Sequence, residues 1–239
     1  MKFFYFIPIL FLLLVLPANA FEHNKKCNVI TEDLNILGLI LKNGSIDPKY
    51  IQDESFKNDN QKLFKSSFKG TVCLPNRIYI PIKKNKIHGK VVYYFENGNI
   101  SEVISYKSGI PNGKFITYYD NKQIESIGKL KNGLQNGTYI EYYNDGIVKK
   151  IIKYSNGNKQ GREKIFDTNG NILSSINYVS GKLSGKSLLY RNNKPWSYFY
   201  YSDGIIDKVV CASDRRVWEP YEYEHYINNI EIPECGNTK

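Results

Sequence analysis

Gly137-Thr138-Tyr139-Ile140-Glu141-Tyr142-Tyr143-Asn144-Asp145-Gly146 reads as a strand running into a tight turn, with Val148, Ile152 and Tyr154 on the strand that returns. Ile140 and Tyr142 stand two apart, so on a strand they share one face. Asp145-Gly146 tolerates the positive φ that a hairpin turn demands. The phrase is repeated. A glycine stands at Gly89, Gly113, Gly137, Gly161 and Gly185, each 24 residues after the last. Each is followed by an aromatic (Tyr94, Tyr118, Tyr142, Phe166, Tyr190) and then by a large apolar residue (Ile100, Ile124, Val148, Ile172, Trp196). A second glycine recurs at Gly109, Gly133, Gly157, Gly181 and Gly204, with a polar connector between it and the next copy. Asn97-Gly98 and Asn169-Gly170 repeat the turn signal, whereas Lys122 and Lys194 replace its glycine in copies two and five. Those two turns are expected to be strained or of another type.

A period in the twenties marks a stacked array. An isolated hairpin is marginal in water, so the copies must pair edge to edge. The predicted fold is mainly β: an elongated single antiparallel sheet of stacked hairpins with a small, partly helical N-terminal cap. Ten strands at about 4.8 Å spacing make a ribbon roughly 45 Å long. The first copy carries Gly89-Lys90, Tyr94, Asn97-Gly98, Tyr106 and Gly109. That pattern resembles the bacterial MORN-repeat variant found in YwqK-type proteins. The resemblance implies a non-enzymatic β-array without a cofactor, with an antitoxin- or immunity-like role. By likeness to eukaryotic relatives it also implies a scaffold for proteins or phospholipid. Asp167 and Arg191 depart from the pattern, because the second aromatic of the pair is lost there.

The chain divides into four segments. Residues 1–20 read as a secretory signal, with Lys2, the apolar run Phe3 to Leu16, and Ala18-Asn19-Ala20 as the cleavage motif. A membrane anchor is the alternative, but the run is short of the ~20 residues a span requires. Export to the periplasm or medium, with no transmembrane segment after cleavage, is therefore expected. Residues 21–80 form the N-terminal capping segment, with helices expected after Thr31 and after Asp47-Pro48. Ile78, Ile80 and Ile82 alternate as a strand that starts the sheet. The array spans 81–210, and 211–239 is a C-terminal cap. Cys27, Cys73, Cys211 and Cys235 suggest two disulfides in an exported chain. The local pairing Cys27–Cys73 with Cys211–Cys235 is favoured among three connectivities. With no Cys-x-x-Cys spacing and three histidines, a metal site is not expected.

The net charge of +10 suits an acidic partner, an anionic lipid or a polyanionic glycan, but also a generally solvated surface. Export and the lack of a recognisable module disfavour nucleic acid. Motifs of serine hydrolases, zinc proteases and P-loop enzymes are missing. Glu222 and His225 are the residues a hidden hydrolase would use, against a bland aromatic cap. The ladder of Tyr94, Tyr118 and Tyr142 is read as the packed side. The opposite face is expected to carry Phe95, Tyr119 and Tyr143 with Val103, Ile127 and Ile151, flanked by Lys129, Lys149, Lys150 and Lys153. Such a stripe is either covered by the N-terminal segment or docks another protein through aromatic anchors and a basic rim. Binding of anionic lipid or glycan through the lysines is the second functional reading.

Overall fold

The computed structural model describes residues 29–30, 69–74 and 77–218; the helices expected in the N-terminal segment lie outside these residues. Among the described residues every element is a strand, and all eighteen belong to one sheet. β1 (Val29–Ile30) runs parallel to β2 (Lys69–Leu74), which pairs with β3 (Ile78–Lys83). The first repeat is β4 (Lys86–Ile87), β5 (Gly89–Tyr94) and β6 (Ile100–Lys107), and the second is β7 (Ile110–Tyr118) with β8 (Ile124–Lys131). The third comprises β9 (Leu134–Gln135), β10 (Gly137–Tyr142) and β11 (Val148–Ser155); β12 (Asn158–Phe166) and β13 (Ile172–Val179) make the fourth. β14 (Lys182–Leu183), β15 (Gly185–Arg191) and β16 (Lys194–Ser202) make a fifth hairpin, and β17 (Ile205–Cys211) and β18 (Val217–Trp218) follow. Every neighbouring pair after β1–β2 is antiparallel. The sheet thus starts upstream of the first glycine repeat, with Ile78, Ile80 and Ile82 on a strand as expected, and runs past residue 210.

Two kinds of turn alternate. Inside a hairpin, Phe95–Asn99, Tyr119–Gln123, Tyr143–Ile147 and Asp167–Asn171 close the same three-residue loop, with one residue at positive φ: Gly98, Lys122, Gly146 or Gly170. Lys122 keeps the glycine conformation at φ 70°, so copy two has the common turn under strain. Copy five changes type instead, with Asn192 and Asn193 both at positive φ in a two-residue turn. Between hairpins the second glycine and the residue before it, such as Asn132-Gly133 and Asn156-Gly157, are both left-handed. That two-residue turn, in place of an open connector, sends the chain straight into the next strand. The N–H of each turn glycine also reaches back to the strand that opens its own repeat: Gly133 donates to the Pro111 carbonyl and Gly157 to the Gln135 carbonyl, both at 2.8 Å.

A bulge falls in every hairpin, between Tyr93 and Tyr94, Thr117 and Tyr118, Glu141 and Tyr142, Ile165 and Phe166, and Leu189 and Tyr190. It breaks the simple alternation on the returning strand, because two residues there face one. Cys73 and Cys211 are each disulfide-bonded. They lie at opposite ends of the sheet, in β2 and β17, far beyond the few ångströms a disulfide spans between Cα atoms. Their sulfur partners therefore lie outside the described residues.

Candidate functional site

The bulge redistributes the expected docking stripe. Val103 is paired directly with Val92, Ile127 with Ile116, and Ile151 with Ile140. Directly paired residues share a face, so all three stand beside the Tyr94, Tyr118 and Tyr142 ladder and not opposite it. Val92, Ile100 and Val103 pack as one cluster against Tyr79, Tyr94 and Tyr118. The expectation placed them on the other side because it counted strict alternation through a bulge. That side is the ladder face. Lys129 and Lys153 share it, two residues beyond Ile127 and Ile151.

Tyr119 and Tyr143 belong to the reverse face, with Lys149. Their hydroxyls are already engaged: Tyr119 donates to the Tyr142 carbonyl at 2.7 Å and Tyr143 to the Phe166 carbonyl at 2.8 Å. Each ring spans its own hairpin tip and clamps the next copy. Phe95 holds the equivalent place without a hydroxyl. In copy four, Asp167 bonds the Asn169 and Asn171 N–H groups of its own turn. Two of the three aromatics of the stripe that ends at Tyr143, Tyr119 and Tyr143, are thus inter-repeat clamps.

The packing also differs from expectation. On the ladder face the buried apolar positions of the hairpins are those of copy one, and later copies leave Ile127, Ile140 and Ile151 half-buried. The reverse face buries Val91, Phe115, Ile152, Phe199 and Val209. Phe115 stacks on Tyr139 over Gly128, with ring centroids 6.2 Å apart, and Tyr139 meets Tyr154 edge-on.

Charge separates by face. In the regular register, the strand carboxylates Glu102, Glu141 and Glu163 all fall on the reverse face. Glu141 accepts from Lys149 at 2.7 Å and Lys150 at 2.5 Å, and Glu163 from Lys159 at 2.6 Å. Burial pushes Glu141 up, but the two lysines outweigh it and hold the carboxyl below its ordinary value. Burial alone raises Glu102. On the ladder face, Lys114, Lys129, Lys153, Arg162, Lys164 and Lys186 are exposed. Among the described residues no strand position there carries a carboxylate in the regular register. The ladder face thus holds two parallel rows: half-buried Ile and Tyr side chains, interrupted in copy four by Lys164 and Ser175 in line with Ile151, and cations one pleat away.

Sequence reasoning found Lys129 and Lys153 but not the row to which they belong. Its signal was present: the residue after each repeat glycine is Lys90, Lys114, Thr138, Arg162 or Lys186. Among the described residues, no group of three or more His, Cys, Asp or Glu could hold a metal ion, and no helix is long and apolar enough to cross a membrane.

The MORN repeat variant family model matches residues 87–108, 111–132, 135–156 and 159–180. The chain therefore carries four tandem MORN-variant repeats, and the hairpin of β15 and β16 continues their sheet. No curated protein matches. Among solved structures, the chain is similar to the crystal structure of TarM (7% identity, 82% of this chain, 29% of that one, TM-score 0.17). It is also similar to a mutant S. aureus TarM in complex with fondaparinux, alpha-GlcNAc-glycerol and UDP (8% identity, 84% of this chain, 35% of that one, TM-score 0.17). The chain spans about a third of the length of these structures, and the scores do not establish a shared fold.

Proposed function

We propose that this chain is an exported, non-enzymatic repeat scaffold that holds another protein on the ladder face, in an antitoxin- or immunity-like role of the YwqK type. The observation that carries the reading is the repetition of one half-buried apolar row, Ile116, Ile127, Ile140 and Ile151, across successive hairpins locked in register. A row of this kind gives up water readily to a complementary surface, and a pre-ordered sheet loses little conformational entropy on docking. Residues 1–20 support export. An oxidising compartment also suits the disulfide state of Cys73 and Cys211. Their separation excludes a bond between them, and of the two connectivities left we favour Cys27–Cys73 with Cys211–Cys235, one staple at each end of the array.

The test is affinity capture by immobilised residues 21–239 from the envelope and medium of the source cells. The bound protein is expected to be retained by Tyr119→Phe, which changes a clamp, and lost by Ile127→Ser/Ile151→Ser folded to the same circular-dichroism spectrum. Capture that ignores the isoleucine changes overturns the ladder face as the site.

A further inference from the structure

We infer that the ladder face is a track for an extended polypeptide segment of the partner in which carboxylates alternate with apolar side chains. This inference rests on the protein-binding reading above and names the partner's chemistry. Three observations carry it. The cation row runs through Lys114, Lys129, Lys153, Arg162 and Lys186 with no strand carboxylate beside it in the regular register, whereas Glu102, Glu141 and Glu163 all face the other way. Among the described residues, Lys114, Lys129, Lys153 and Lys186 have no ion-pair partner, while Lys149, Lys150 and Lys159 on the reverse side all do. The apolar row lies two residues from the cations on the same strands, as in Ile127 with Lys129 and Ile151 with Lys153.

An extended chain sends successive side chains to opposite sides. Laid along the seam between the rows, it would place acids over the lysines and apolar groups over the isoleucines. Adjacent strands of a sheet are rotated by about 20–25°, so between β5 and β15 the face turns through roughly half a revolution. A flat bilayer or a rigid duplex meets only a few of the cations at once, and a flexible chain can follow them all. The positions next to the cations are aliphatic, Ile116, Ile127, Ile140 and Ile151, with Tyr118 and Tyr142 one pleat further away. This favours a polypeptide over a single-stranded nucleic acid, whose bases stack best on aromatic platforms.

The test uses residues 21–239 and a fluorescein-labelled 20-residue peptide alternating Glu with Leu or Tyr, read by anisotropy. Such a peptide extends to about 66 Å, the scale of the whole array. Binding is expected to weaken as salt rises and to fall at least about tenfold in Lys129→Glu/Lys153→Glu. Lys194→Glu, at the opposite ends of the strands, should leave it within about twofold. A Glu–Ser peptide of the same charge should bind more weakly, because it leaves the apolar row unfilled. Equal loss in Lys194→Glu, or no loss in the double variant, overturns the track. Tighter binding of a 20-nucleotide oligo-dT, a sulfated glycan or anionic vesicles also overturns it, and moves the face to that class of ligand. If the peptide fails while the isoleucine-dependent capture persists, the partner's assigned chemistry is wrong but the scaffold reading stands.

Discussion

Gly128 shows how a single residue can be fixed by its neighbours and not by its backbone. A Cβ at this position would lie 2.6 Å from Cε1 and 2.8 Å from Cζ of Phe115, and 3.3 Å from the Tyr139 ring. Phe115 is itself buried, so the ring cannot swing away cheaply. Gly128→Ala should cost about 1–3 kcal/mol, with a melting temperature lower by a few degrees. In a Phe115→Leu background the same change should cost less, as a double-mutant cycle would show. Lys122 is the converse case, a side chain on a backbone that wants none, at φ 70°. Lys122→Gly should raise stability by up to about 1 kcal/mol, measured by urea denaturation. Gly128 was not legible in the sequence, since no other copy has glycine at that place and the contact crosses three strands. Lys122 was legible as a departure, but not the choice between strain and a new turn.

At the scale of the hairpin, the recurring bulge decides which residues meet. Period-2 counting located every hairpin strand, because glycines and turn dipeptides mark their ends. It failed for Val103, Ile127 and Ile151 because one extra residue per returning strand shifts the phase, and nothing in the local composition announces a bulge. The tyrosine clamps were read as a surface for the same kind of reason: the carbonyl that receives each hydroxyl belongs to the next copy. Tyr143→Phe should therefore cost about 1 kcal/mol, and hydrogen exchange should quicken around Phe166 more than around Tyr118. The Glu141 pairs give a pH dependence with a definite sign. Its folded-state carboxyl is held below the ordinary 4.5, so the contribution is present above that pH and is lost as pH falls through the lower folded value. Glu141→Gln should flatten that part of an acid denaturation curve. Glu102, raised by burial, has the opposite sign, and Glu102→Gln should be neutral to stabilising at pH 7.

At the scale of the whole molecule, each hairpin among the described residues pairs with its neighbours along one sheet, and stability accumulates by stacking. The same arrangement carries the cation row from copy to copy and the apolar row through copies one to three, up to Lys164 and Ser175 in copy four. That turns a short motif into the extended surface proposed to bind a partner. The segregation of charge needed no exotic residue. Lysine follows most repeat glycines, glutamate takes the alternate register, and the pleat sends them to opposite faces. Three short strands, β4, β9 and β14, continue into β5, β10 and β15, leaving fifteen rungs. At about 4.8 Å each, those rungs make a ribbon roughly 65 Å long. Small-angle X-ray scattering from residues 21–239 tests this most directly. A maximum dimension above roughly 65 Å, with a distance distribution skewed towards long separations, is the expected result. A symmetric distribution with a radius of gyration near the ~17 Å of a compact domain of this size would contradict the continuous ribbon.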